Sequence, residues 1–215
     1  MKTTLYPLIV ALLCIINTAC TPLPSHQDSQ PAYLTTCDKP DCFSKAKLIT
    51  LPHEKTSGLV IRSTPFVGFN LAHPASQLMT GPSSLIIVDQ HQNTVVTFQT
   101  RLEDLGLEKL HNIDMYQLMK WNFLYSYTEL EQLALPTEVL VSARAFKLSN
   151  NLSTVEALQY FKRDDLLIFS FYEAQDLMHK VFIINKNQPN IMINIDIKGI
   201  SDPDFSRVIS SIHQF

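Results

Sequence analysis

Apolar and polar positions alternate most cleanly near the end of the chain, where Ile191, Ile193, Ile195 and Ile197 interleave with Met192, Asn194 and Asp196. A period of two is what a strand shows when one of its faces is turned to a core. Residues 166–171 and 181–184 are further apolar runs, and three such runs separated by polar turns predict an antiparallel meander. Beyond it, Asp202 and Pro203 supply an N-cap and a first helical position. Phe205, Val208, Ile209 and Ile212 then recur at helical spacing, so a helix should cover the sheet.

Upstream, residues 47–51 and 58–62 read as short strands. Residues 64–82 are interrupted by Pro65, Pro74 and Pro82 with Gly68 and Gly81, and read as a long ordered loop anchored by Phe66 and Phe69. Residues 85–88 and 94–98 flank a polar turn and predict a hairpin. Thr100 with Glu103 has capping-box spacing and predicts a helix carrying Leu102, Leu105 and Leu110. From residue 114 to 127, Met115, Leu118 and Met119 fit a helix, whereas Trp121, Phe123, Tyr125 and Tyr127 alternate. The region reads as helix passing into strand. Thr128 with Glu131 opens a short helix that Pro136 ends, and residues 138–147 fit either helix or strand. Ser153 with Glu156, ahead of Val155, Leu158 and Phe161, predicts a helix running to Lys162 or Arg163. The expected fold is α+β: an antiparallel sheet with helices packed mainly on one face, in a single globular domain over residues 37–215.

Composition narrows the function classes. Of 215 residues 46% are hydrophobic and 17% charged, a balance that permits a sizeable core and argues against wholesale disorder. Net charge is −3, so nucleic acid is not an expected partner. Five glycines leave no phosphate-cradling loop, and no Gly-x-Ser-x-Gly elbow or His-Glu-x-x-His helix is present. The seven histidines are scattered and read as solvated side chains; no metal site and no cofactor is expected. Lys162-Arg163-Asp164-Asp165 reads as a solvated turn rather than an acid-base pair. A hydrolase would have to assemble Ser83 or Ser84 with His73 and Asp89, a set that spacing does not motivate. The candidate binding surface is aromatic: Phe66 and Phe69 in the proline-rich stretch, Trp121 and Tyr125 in the aromatic run, with core packing as the competing reading for the latter pair.

The beginning of the chain differs from the rest. Lys2 precedes an apolar stretch from Leu5 to Ile16, shorter than the about 20 residues a membrane-spanning helix needs and suited to the apolar segment of a secretory signal. It is followed by Asn17-Thr18-Ala19-Cys20, two small residues and a cysteine. This resembles the lipobox of bacterial lipoproteins, with Asn17 where that family prefers an aliphatic residue. The resemblance implies that residues 1–19 are removed and that Cys20 carries the lipid. Ordinary cleavage after Ala19, leaving Cys20 as a thiol, is the alternative. Residues 20–36, rich in Pro, Ser and Gln, then form a tether. Thr21 after the cysteine, by the same resemblance, implies the periplasmic face of the outer membrane. In such an oxidising compartment Cys37 and Cys42 are expected to close a small disulfide loop.

Two further resemblances concern the body. Cys37 and Cys42, followed by residues 47–51 and Pro52, are similar to the opening of periplasmic lipoprotein immunity proteins that block secreted lipase effectors. The closing segment Asp-Pro-Asp-Phe-Ser-Arg-Val-Ile-Ser-Ser-Ile after a strand meander looks like the end of small sandwich lipoproteins related to the photosystem subunit PsbP, which are mostly binding or assembly modules. The combined expectation is a non-catalytic envelope protein, attached to the membrane through its lipid, that binds a protein partner or a lipid-like ligand. The alternatives are an immunity lipoprotein and an envelope hydrolase.

Overall fold

Three apolar runs near the C-terminus organise the molecule. The computed structural model describes residues 45–53, 58–71, 73–109, 112–152 and 158–215, all within the unit Cys37–Phe215. In chain order they form β1 (Lys47–Leu48), β2 (Leu59–Arg62), β3 (Val67–Leu71), β4 (Ala75–Thr80), β5 (Ser84–Asp89) and β6 (Thr94–Arg101). A 3-10 turn (Glu103–Leu105) precedes helices α1 (Met115–Leu124), α2 (Tyr127–Gln132) and α3 (Thr137–Ser149). The chain closes with β7 (Gln159–Arg163), β8 (Leu166–Glu173), β9 (Met178–Asn185), β10 (Gln188–Lys198), α4 (Asp202–Ser211) and β11 (His213–Gln214).

An eight-stranded sheet runs in the order β1-β7-β8-β9-β10-β6-β5-β4, and β11-β3-β2 form a second, three-stranded sheet. Every pairing is antiparallel except that of β1 with β7. The fold is therefore α+β, as the periodicity predicts. Its central strands are covered on both faces, which is why β8 reads as a nearly continuous apolar run. Leu167, Phe169, Phe171, Phe182, Ile184 and Met192 face α1, α2 and α3. Leu166, Ile168, Val181, Ile183 and the isoleucines of β10 face α4 and the small sheet. Of the helices in the described residues, α1, α2 and α3 thus share one face and α4 lies on the other.

Several local expectations give way to tertiary packing. Residues 64–82 are not a loop: they contain β3 and β4, and Pro65, Pro74 and Pro82 all fall outside the strands they were expected to forbid. Gly68 is required because a Cβ there would lie 2.6 Å from the Phe215 ring and 2.7 Å from the Ile61 carbonyl. The helix expected after Thr100 reduces to the 3-10 turn, because β6 continues to Arg101 and the Thr100 hydroxyl accepts from Asn194 Nδ2 across the sheet. The strand expected at residues 121–127 is the end of α1 and the start of α2. Alternation misled there because α1 is enclosed on most sides, burying Trp121, Asn122 and Phe123 in succession.

The second capping box is Ser126 with Glu129, two residues before the expected pair. Ser126 N donates to Glu129 Oε2 and Glu129 N to Ser126 Oγ. Lys45, 2.6 Å from Glu129, and the Ser126 amide hold that carboxyl down at about 2. Residues 138–147 are helical. The helix expected to reach Lys162 or Arg163 is instead strand β7 from Gln159 onward, where pairing with both β1 and β8 overrides helical spacing; residues 153–157 lie outside the described residues. For α4 the N-cap is Ser201, whose hydroxyl accepts from Asp204 N, with Asp202 and Pro203 in the first turn.

Candidate functional site

The aromatic residues singled out from sequence are not brought together. Phe69 is fully buried between the small sheet and α4, whereas Trp121 is buried in the helix layer on the opposite face. The expected surface role of these two does not hold: Phe69 is a core side chain of β3 and Trp121 a core side chain of α1, where local patterning suggests a loop and a strand. Phe66 is 44% exposed, on the bend before β3. Tyr125 is half-buried at the C-cap of α1, its carbonyl accepting from Lys147 Nζ. Cys20, Cys37 and Cys42 lie outside the described residues.

Of the hydrolase set, His73 and Asp89 line one small cavity, whereas Ser84 lies at the other end of β5. Asp89 accepts from His91 N at 2.7 Å, Asn93 N at 3.0 Å and Asn93 Nδ2 at 2.8 Å, so its carboxylate shapes the β5–β6 turn. The His73 ring stands edge-on to His91. Among the described residues no group of three or more potential ligands is placed to hold a metal ion.

A sizeable concavity lies elsewhere, where α4 crosses the sheet. A half-open cleft of about 660 Å³ separates α4 from β7, β8 and the segment around Leu51. Its volume falls in the range of small-molecule sites, about 300 to 1,000 Å³. Strand alternation sets the floor: Gln159, Ser170 and Tyr172 project to the α4 side, while Phe169 and Phe171 turn to the helix layer. Ser170 makes the room, being a small side chain in a strand otherwise filled with large ones. Phe205 and Ser206 of α4 form one wall and Leu51 the other.

His179 stands at the inner corner. It is 7% exposed, its ring stacks on Phe205 with centroids 3.9 Å apart and planes 12° apart, and Tyr172 lies 5.0 Å away. Nε2 is 3.5 Å from Oδ1 of the exposed Asp202. Burial pushes the imidazole below its ordinary pKa, against the pull of Asp202, so it is neutral at pH 7. The far end is braced by Arg163, whose Nη1 donates to the Ser210 and Ile212 carbonyls at 2.7 and 2.6 Å, and whose Nη2 donates to the Pro52 carbonyl. A cation at the C-terminal carbonyls of α4 satisfies groups the helix leaves open and fixes the wall of the cleft. A lone serine inside the apolar run Leu-Leu-Ile-Phe-Ser-Phe was the one mark of this site in the sequence.

Neither a protein-family model, nor a curated protein, nor a solved structure gives a match to this chain.

The cleft's chemistry must therefore be read from its own side chains. Stacked aromatic rings present an apolar wall, serine hydroxyls with the Gln159 amide supply neutral donors and acceptors beside it, and the exposed Asp202 carboxylate adds a charged acceptor. A second groove of about 590 Å³ lies on the helix face, between α3 and the 3-10 turn, lined by Leu105, Leu107, Val141 and Phe146. Asn122, Thr137, Glu138, Ser142 and Ser149 also line it, and it opens beside the 61% exposed Val141. None of the described helices is long and apolar enough to cross a membrane.

Proposed function

We propose that this protein is a lipid-anchored bacterial envelope component, held through Cys20 at the periplasmic face of the outer membrane, that binds a ligand without transforming it. The cleft beneath α4 carries the reading. Its hydroxyl and amide groups, with the exposed Asp202 carboxylate as a further acceptor, lie beside a Phe205–His179 stack and suit a molecule with one apolar face and several hydroxyl or amide donors, as a sugar-bearing envelope constituent would have.

The test begins with the anchor. In the lipidated protein Cys20→Ser should move the chain from the membrane fraction to the soluble periplasm, and unchanged membrane retention removes the lipid from the account. For the ligand, native mass spectrometry of the protein after incubation with an envelope extract should show a small-molecule adduct. Ser206 is exposed at the wall of the cleft, so Ser206→Trp should fill it and abolish the adduct with the fold intact. An adduct that survives Ser206→Trp places binding outside this cleft, and none with the wild-type chain overturns the ligand reading.

A further inference from the structure

The groove on the helix face lies apart from the cleft beneath α4 and holds a different chemistry. One stripe of α3 forms its wall: Glu138, Ser142, Ala145 and Ser149 recur at spacings of three and four residues. Ser142, Ala145 and Ser149 are small, which leaves space beside the helix. On the other side the 3-10 turn ends at Gly106, in the left-handed conformation at φ 67°, and the chain turns there so that Leu105 and Leu107 both line the groove. Nothing stands within 4 Å of the position a Gly106 Cβ would take, so the space continues over the turn.

Asn122 of α1 lines the same groove and is the side chain that gives it a preference. It is 0% exposed, its Nδ2 donates to the weakly accepting Met119 sulfur at 4.0 Å, and its Oδ1 has no hydrogen-bond partner. A side-chain oxygen this deeply buried is ordinarily paired. Its place is fixed, because the Asn122 carbonyl accepts from Lys147 Nζ and so ties α1 to α3. Around this stationary acceptor stand the apolar side chains of Leu105, Leu107, Val141 and Phe146. Of the polar groups nearby, the Ser149 hydroxyl already donates to the Phe146 carbonyl. Glu138 is the one charged side chain among the described residues of the lining, and no cation accompanies it. A carboxylate or phosphate group would find no counter-ion there and would be repelled by Glu138.

We infer that this groove binds an uncharged aliphatic chain bearing a hydroxyl group, with the hydroxyl donating to Asn122 Oδ1. The methylenes lie along Leu105, Leu107, Val141 and Phe146, where they leave water. A bare hydrocarbon would satisfy the wall and leave the oxygen unpaired; an alcohol satisfies both.

The full chain with Cys20→Ser, prepared without detergent, is titrated by isothermal titration calorimetry with n-octanol, with its isomer methyl heptyl ether, which accepts but cannot donate, and with octanoate. The alcohol should bind about fivefold or more tightly than the ether, the loss that one hydrogen bond accounts for. Octanoate should bind more weakly than the alcohol. Asn122→Leu, close in size, should bring alcohol and ether to equal affinity; should that variant fail to fold, the alcohol and ether comparison on the chain with Asn122 in place decides. Ala145 is exposed on the groove wall, so Ala145→Trp should fill the space and abolish binding with unchanged circular dichroism, whereas Ser206→Trp in the α4 cleft should leave it intact. No binding of the alcohol, equal binding of alcohol and ether with Asn122 in place, a preference for the alcohol that persists in Asn122→Leu, octanoate binding as tightly as the alcohol, binding that survives Ala145→Trp, or binding lost in Ser206→Trp each overturns the proposal.

Discussion

His179 of β9 lies flat against Phe205 of α4, rings 3.9 Å apart and 12° from parallel, and this stack joins the meander to the helix that closes over it. Its energetic weight depends on protonation. Burial lowers the imidazole pKa in the fold, so on acidification the unfolded chain takes up the proton first. Stability is lost as pH falls through the unfolded value of about 6.5 toward the lower folded one. Thermal unfolding between pH 7.5 and 5 should show that decline, and His179→Phe, which keeps a stacking ring and removes the titration, should flatten it.

Lys147 is fully buried, with Nζ donating to the carbonyls of Asn122 and Tyr125 at the end of α1. Burial pushes its pKa down to about 8, against the attraction of Glu129. An Nζ-reporting NMR titration of ε-labelled lysine should find one midpoint near 8, lost in Lys147→Met. Between pH 8 and 10.5 the unfolded chain holds the extra proton, so this group contributes a rise of stability with pH in that window. Lys147→Met itself should cost about 1–3 kcal/mol for each carbonyl it leaves without a donor.

Asp196 has the opposite sign. It sits opposite Lys180 on β9, and Lys180 already pairs with the buried Glu173 at 2.8 Å. Burial raises the Asp196 pKa, Lys180 partly offsets this, and Glu173 adds to it. The ionised form is therefore less welcome in the fold than in the unfolded chain, and stability declines as pH rises from the unfolded value of about 3.9 through the folded one. Asp196→Asn should raise the thermal midpoint at pH 7, and an unchanged or lower midpoint would contradict this placement.

Phe66 and Phe69 separate a surface aromatic from a core one. Phe69→Ala should cost about 3–5 kcal/mol in denaturant unfolding, by cavity formation beneath β3. Phe66→Ala should stay within about 0.5 kcal/mol.

What the sequence made legible follows from where local and tertiary preferences agree. The meander, the β5–β6 hairpin and α4 were readable because each buries one regular set of side chains against a single neighbour, as Phe205, Val208 and Ile209 do. Residues 121–127 misled because helix α1 is enclosed, so its burial no longer follows a period of 3.6. Residues 159–163 misled because β7 is a strand through its partners β1 and β8, which a local reading does not see. The cleft was least legible: it is a space, created by the crossing of α4 and the small size of Ser170, and only the second leaves a letter in the chain.

The parallel pairing of β1 with β7 has a consequence for the order of assembly. Lys47 aligns with Gln159, more than a hundred residues later, so the first described strand has no ladder to join until most of the chain has emerged. The meander of β8, β9 and β10, built from neighbouring hairpins, can form beforehand. At the edge of the large sheet β1 is a two-residue clasp, and a pull from the N-terminal side would open it first.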